Sequence, residues 1–99
     1  MNPIVTVICT CYNHELFVRE SLLSVIQQTY SAIQLIVIDN ASTDESRRVI
    51  QRLVDEYPEI VFIRNTHNIG LCRAFNQGLC EATGKYVIDL AADDVMPPN

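Results

Sequence analysis

From Ile4 to Cys9 the chain runs Ile-Val-Thr-Val-Ile-Cys, β-branched or apolar at every position. An unbroken run of this kind predicts a strand covered on both faces, as in a parallel sheet. Polar positions then return, and between Glu15 and Gln28 the apolar residues Val18, Leu22, Val25 and Ile26 recur at helical spacing. Asn13 stands where a cap for that helix is expected. A second apolar run, Ile33 to Ile38, leads to Ser42-Thr43-Asp44-Glu45, a capping-box pattern with Ser42 as cap and Glu45 reaching back. Val49, Ile50, Leu53, Val54 and Tyr57 mark one side of the next helix, which Pro58 stops. Ile60 to Ile63 makes a third strand, and Asn65 to Gly70 a polar loop. Leu71, Phe75, Leu79 and Ala82 set the inner stripe of a third helix that ends at Gly84. Lys85 to Leu90 makes a fourth strand.

Strand and helix alternate three times and close on a strand, with connections short enough to require right-handed parallel crossovers. The expected fold is α/β: one Rossmann-like three-layer sandwich over residues 1–99, with three helices and a four-stranded parallel sheet in the order 3-2-1-4. That order places the switch point between the first and fourth strands, where ligands bind beyond the carboxyl ends. Carboxylates arrive at those ends. The second strand runs into Asp39-Asn40-Ala41-Ser42-Thr43-Asp44, and the fourth into Ala92-Asp93-Asp94.

Composition narrows the function. With 48% hydrophobic and 19% charged residues, the 99-residue chain has the make-up of one small packed domain. A net charge of -5, from 12 acidic against 7 basic residues, argues against a nucleic-acid partner, which needs clustered cations. Arg47, Arg48 and Arg52 do cluster, but beside Asp55 and Glu56 they read as a solvated helix face. No apolar run approaches the roughly 18 residues of a membrane span, and Met1-Asn2-Pro3-Ile4 does not open a signal peptide. Cys9, Cys11, Cys72 and Cys80 include no C-x-x-C pair, so they are expected to be small buried hydrophobes in a reducing cytoplasm.

The turn Thr10-Cys11-Tyr12-Asn13-His14 has no glycine, which excludes a dinucleotide fingerprint and a P-loop. It also lacks the acids of a phospho-accepting receiver domain. What remains is a crevice with Tyr12 for stacking, Asp39 and Asp44 as acceptors, and Asp93-Asp94 as hard oxygen ligands suited to Mg2+ or Mn2+. Taken singly, Asp93-Asp94 read equally as a polar turn before Met96-Pro97-Pro98, and Asp39 as an Asx turn. His14 and His67 have no spaced partner and read as surface or cap residues.

Taken together, the blocks Val5 to Asn13, Gln28-Thr29-Tyr30, Leu35 to Asp44, Asn68 to Leu71, and Gly84 to Val87 followed by Ala92-Asp93-Asp94 resemble the family 2 glycosyltransferases, which have the A-type nucleotide-sugar-binding fold. The resemblance spans essentially the whole chain, in order. It implies a nucleotide-diphosphate sugar donor, usually a uridine one, and inverting transfer by direct displacement to a glycan or lipid-linked acceptor, as in polysaccharide biosynthesis. Carried over, Thr10 and Tyr12 bracket the base and Asp39 accepts a hydrogen bond from uracil. Asp93 faces the ribose or the metal, and Asp94 holds a divalent ion against the diphosphate. Asn13 and Asp44 complete the nucleotide-binding set, with Arg73 a weaker candidate for a phosphate contact.

Several positions depart from the family pattern. Ala91 stands where Asp is common, Asn40-Ala41 replace Asp-Gly, and Thr10-Cys11 replace Pro-Thr. The resemblance implies that the general base lies beyond Asn99, so residues 1–99 are expected to be the donor-binding part of a longer enzyme, inactive alone, whose parent works in the cytoplasm or at the cytoplasmic membrane face. A non-catalytic nucleotide-binding module uses the same crevice and stays open as an alternative. A purely structural domain would leave Asp39, Asp93 and Asp94 without a common purpose. The fourth strand is expected to present an unpaired edge through which two copies associate.

Overall fold

The computed structural model describes residues 3–28 and 31–96. Seven elements alternate along it: β1 (Val5–Cys11), α1 (Val18–Ile26), β2 (Ile33–Asp39), α2 (Ser46–Glu56), β3 (Val61–Arg64), α3 (Leu71–Glu81) and β4 (Tyr86–Ala91). All strand pairs are parallel, in the order β3-β2-β1-β4. This is the Rossmann-like arrangement that the strand and helix alternation predicts. Thr29 and Tyr30, part of one family-like block, lie outside the described residues, as do Pro97, Pro98 and Asn99.

The two central strands are mostly apolar because both their faces are covered. Val7, Cys9 and Cys11 of β1 and Leu35 and Val37 of β2 pack against Val18, Leu22 and Val25 of α1 and Ile50 and Leu53 of α2. On the other face Ile8, Ile36 and Ile38 meet Ala74 of α3. Burying a Leu, Ile or Val side chain fully contributes about 1.5–3 kcal/mol, so the larger cluster under α1 and α2 dominates stability.

The third helix differs from its expected stripe. Ala74 and Gly78 are its buried residues, whereas Leu71 is 66% and Leu79 41% exposed. A Cβ added at Gly78 would lie 2.7 Å from Cγ2 of Ile8, so the helix backbone itself sits against the sheet. Small residues make that contact, and the large apolar ones are turned outward. Phe75 and Ala82 keep partly buried places at its border. Cys72 and Cys80 share the outward face and are exposed, contrary to the burial expected of them. Cys9 and Cys11 are buried as expected. Burial above all pushes the Cys9 thiol up, with Cys11, Asp89 and Asp93 adding to it, and burial raises Cys11 against opposing hydrogen bonds from Ser46 and His14.

Element ends shift by a few residues. The first helix starts at Val18 rather than Glu15, and the third stops at Glu81 rather than Gly84. Gly84 serves a different purpose: its N–H donates to Thr6 Oγ1 at 2.9 Å, and a Cβ there would lie 2.5 Å from that oxygen. Only glycine fits so close a return to β1. At the sheet border Tyr86, Val87 and Ile88 of β4 are exposed, and Leu90 is the strand's one buried residue. No helix among the described residues is long and apolar enough to cross a membrane.

Candidate functional site

Parallel pairing brings the carboxyl ends of β1, β2 and β4 to one border of the sheet, with Cys11 beside Asp39 and Thr10 beside both Ile38 and Ala91. Asp39, the last residue of β2, is 0% exposed. Its Oδ2 accepts from Arg47 Nε at 3.1 Å and from the Ser42 N–H at 3.3 Å. Its Oδ1 is buried and has no partner. A buried acceptor left unpaired costs about 1–3 kcal/mol, which marks this oxygen as a place for a ligand donor.

Arg47 is therefore more than part of a solvated face. Because α2 begins at Ser46, Arg47 falls in its first turn, above the end of β2. Its Nη2 also donates to the Asn65 carbonyl at 2.8 Å, while the Asn65 N–H donates to the Asp39 carbonyl at 2.9 Å. An amide network then braces Asn65. Its side chain exchanges two hydrogen bonds of 2.9 Å with Gln77, and its Nδ2 reaches Asn40 Oδ1 at 3.3 Å. Asn40 in turn donates to Asn68 Oδ1 at 3.0 Å and accepts from the Ile69 N–H at 3.1 Å. Sequence reasoning missed Arg47 and these amides. The one available signal was three Asn residues, Asn40, Asn65 and Asn68, clustered just past strand ends.

The loops after β1 and β2 are tied to each other. Asn13, at a positive φ of 57°, accepts from the N–H of Thr43 at 2.8 Å and of Asp44 at 3.3 Å, and donates its own N–H to Ser42 Oγ. It caps no helix of its own. Ser42 and Glu45 likewise form no capping box, since the residues that precede α1 and α2, Phe17 and Glu45, make no side-chain cap bond. Asp44 accepts from the N–H of Glu15 at 3.1 Å and of Ser46 at 2.9 Å. Burial pushes the Asp44 carboxyl up, but the hydrogen bonds from Ser46 and Glu15 outweigh it and hold the group below the usual carboxylate range. Asn13 and Asp44 thus brace the rim. Tyr12 is half-exposed on that rim, and Thr10 is buried with an unpartnered Oγ1.

Beyond β4 the turn closes with the Asp94 N–H on the Ala91 carbonyl at 3.0 Å. Ser21 and Ser24 of α1 hold it from below, through the Ala92 carbonyl at 2.8 Å and the Met96 N–H at 2.9 Å. Asp93 and Asp94 are exposed above this support. Asp93 Oδ2 lies 3.9 Å from His14 Nε2, which links the loops after β1 and β4, and Asp94 Oδ1 accepts from the Val95 N–H. Among the described residues no three of His, Cys, Asp or Glu group as a complete metal cage. Two adjacent carboxylates nevertheless suit Mg2+ or Mn2+, which take one or two protein carboxylates and complete their shell with water and phosphate oxygens. Arg73 is exposed on α3 and makes no hydrogen bond or ion pair among the described residues, so nothing joins it to the others. A separate cavity lies at the opposite end of the sheet, bordered by Ile4, Ile33, Gln34, Glu59, Ile60 and Thr83, and contains none of these residues.

Comparison with known proteins places the chain in a family. Residues 6–99 match the family described as glycosyl transferase family 2, and the chain belongs to that family. A protein of Haemophilus influenzae named an uncharacterized glycosyltransferase is 36% identical over 97 residues, covering 98% of this chain and 30% of its own length. The mannosyltransferase PcManGT from Pyrobaculum calidifontis, in complex with GDP-Man and Mn2+, is similar in structure, with a TM-score of 0.90 at 31% identity. That match covers 98% of this chain and 29% of the mannosyltransferase. The fold is shared also with S. aureus TarS 1–349 in complex with UDP-GlcNAc, at a TM-score of 0.86 and 23% identity over 96% of this chain and 28% of that one. The chain thus spans about three-tenths of the length of each of these three proteins.

Proposed function

We propose that this chain is the donor-binding part of a family 2 glycosyltransferase, taking a nucleoside diphosphate sugar, with uracil as the base. The observation that carries the reading is the buried, partnerless Oδ1 of Asp39 at the carboxyl border of the sheet. In this reading Asp39 accepts the base N–H, Tyr12 and Thr10 lie against the base, and Asp93 meets the ribose or the ion. Oδ1 is shielded from water in the free chain, so contact with a base requires the rim to yield locally. Asn13 and Asp44 act by bracing that rim.

Asp93 and Asp94 would hold Mg2+ or Mn2+ at the diphosphate. Bound there, such an ion supplies Lewis-acid charge that steadies the departing diphosphate. The complex of PcManGT with GDP-Man and Mn2+ supports an ion and a nucleotide sugar in a related protein. For the whole protein we propose inverting transfer to a glycan or lipid-linked acceptor, in polysaccharide biosynthesis, at the cytoplasmic face of the membrane. Displacement of sugar from diphosphate needs a base beside the acceptor hydroxyl. That base is proposed to come from the rest of the protein, and the 99-residue chain alone should transfer no sugar.

Calorimetric titration of the chain with UDP, with and without Mn2+, tests the donor reading. Binding that strengthens with the ion is expected. Failure to bind millimolar UDP under either condition contradicts the nucleotide assignment.

A further inference from the structure

We propose that Arg47 sets the base selectivity of the crevice, by occupying one oxygen of buried Asp39 so that an incoming base meets a single acceptor. The inference rests on the nucleotide reading above and adds a positioning residue to it. Of the two carboxylate oxygens, Oδ2 is taken by Arg47 Nε at 3.1 Å and the Ser42 N–H at 3.3 Å, and Oδ1 by nothing. The guanidinium is not free to swing away. Its Nη2 is held by the Asn65 carbonyl at 2.8 Å, and Asn65 is itself braced by Gln77 and Asn40. The ion pair is also sheltered on its acidic side, Asp39 being 0% and Arg47 43% exposed.

A carboxylate with one free oxygen matches a base that offers one N–H between two carbonyls, which is uracil. Guanine presents two parallel donors, the ring N–H and the amino group, and these suit a carboxylate with both oxygens free, by the two-point geometry that favours forked pairs. Here guanine's second donor would be left buried without a partner or would have to displace Arg47. Cytosine is rejected for a different reason: its ring nitrogen carries a lone pair, which faces a carboxylate unfavourably. Arg47 therefore discriminates without touching the nucleotide. Its Nε, fixed on Oδ2 at 3.1 Å, keeps the acceptor single.

The test is a calorimetric comparison of UDP, GDP and CDP, all with Mn2+, on the 99-residue chain and its R47L and R47K variants, with circular dichroism to confirm folding. The unaltered chain should bind UDP at least about tenfold more tightly than GDP or CDP, a ratio typical of one unpaired buried donor or acceptor. In R47L the preference for UDP over GDP should fall at least about fivefold, because only the Ser42 N–H, at 3.3 Å, then remains on Oδ2 and leaves room for a second donor. R47K keeps a charge at Oδ2 but cannot bridge Asp39 and Asn65 together, and a fall of about threefold is expected. If R47L does not fold, R47K decides alone. Equal weakening of all three nucleotides in the folded variants would show a merely structural Arg47 and overturn the inference. So would a preference for GDP in the unaltered chain, which would leave the nucleotide reading intact. Absence of binding to any of the three would overturn that reading itself, and this inference with it.

Discussion

Two carboxylate sites stand at the same border of the sheet and are built in opposite ways. Asp39 ends an inner strand, is wholly buried, and has one oxygen fixed by Arg47 and the Ser42 N–H. Asp93 and Asp94 follow the edge strand β4, are exposed, and rest on a turn held by two serines of α1. In the buried site the carboxylate is fixed before a ligand arrives, although the rim must yield to admit one, so it can select. The exposed pair faces solvent, so in the proposed reading it gains strong electrostatics only with an ion and phosphate bound. Selectivity should therefore reside at Asp39, and ion dependence at Asp93-Asp94.

The largest expected effect comes from breaking the buried site. Asp39→Ala should weaken UDP by about 1–3 kcal/mol, the loss of one buried partner, in calorimetric titration. It also strands the Arg47 guanidinium, so circular dichroism must show the variant folded. Loss of binding through unfolding alone would assign Asp39 a structural role and erase the contrast.

Asp94→Ala attacks the other pole. Stability should change by no more than about 0.5 kcal/mol, as for an exposed surface position, while the gain in UDP affinity on adding Mn2+ disappears. Retained ion dependence would move the ion elsewhere.

The strand that carries the exposed pair differs from β2 in a second respect, since Tyr86, Val87 and Ile88 leave it open. We expect concentration-dependent self-association of the chain by sedimentation velocity, as unpaired edges join other chains, and its loss in Val87→Lys. A monomer at every concentration would mean that the edge is protected.

The smallest effect is on the rim. The Asp44 carboxyl is held below its ordinary value in the folded chain. A depressed folded pKa contributes stability above the unfolded value, near 3.9, and loses it as pH falls through the folded value. The melting temperature of Asp44→Asn should thus fall short of the unaltered chain's at pH 7, and the gap should close as pH falls through the folded value. A gap independent of pH would show that the hydrogen bonds of Asp44 do not need its charge.

Legibility in the sequence followed the same divide between local and long-range causes. The order of strands could be read because β1 and β2 are apolar runs, and the carboxylates because they follow strand ends. The third helix was misread because its contact is made by Ala74 and Gly78, and apolar size marks the wrong face when a backbone itself lies on the sheet. Arg47 looked like one of three solvated arginines because its partners, Asp39 and Asn65, are 8 and 18 residues away in sequence. Asn13 stands where a helix cap is expected, yet it bonds to Thr43 and Asp44, some 30 residues on. No local propensity encodes such partners.

A crystal structure of the chain with UDP and Mn2+ tests the central claim most directly. A uracil N–H is expected within about 2.7–3.2 Å of Asp39 Oδ1, with Arg47 still on Oδ2 and the ion between the diphosphate and Asp93-Asp94. A nucleotide bound in the cavity at the opposite end of the sheet, or with its base away from Asp39, would contradict it.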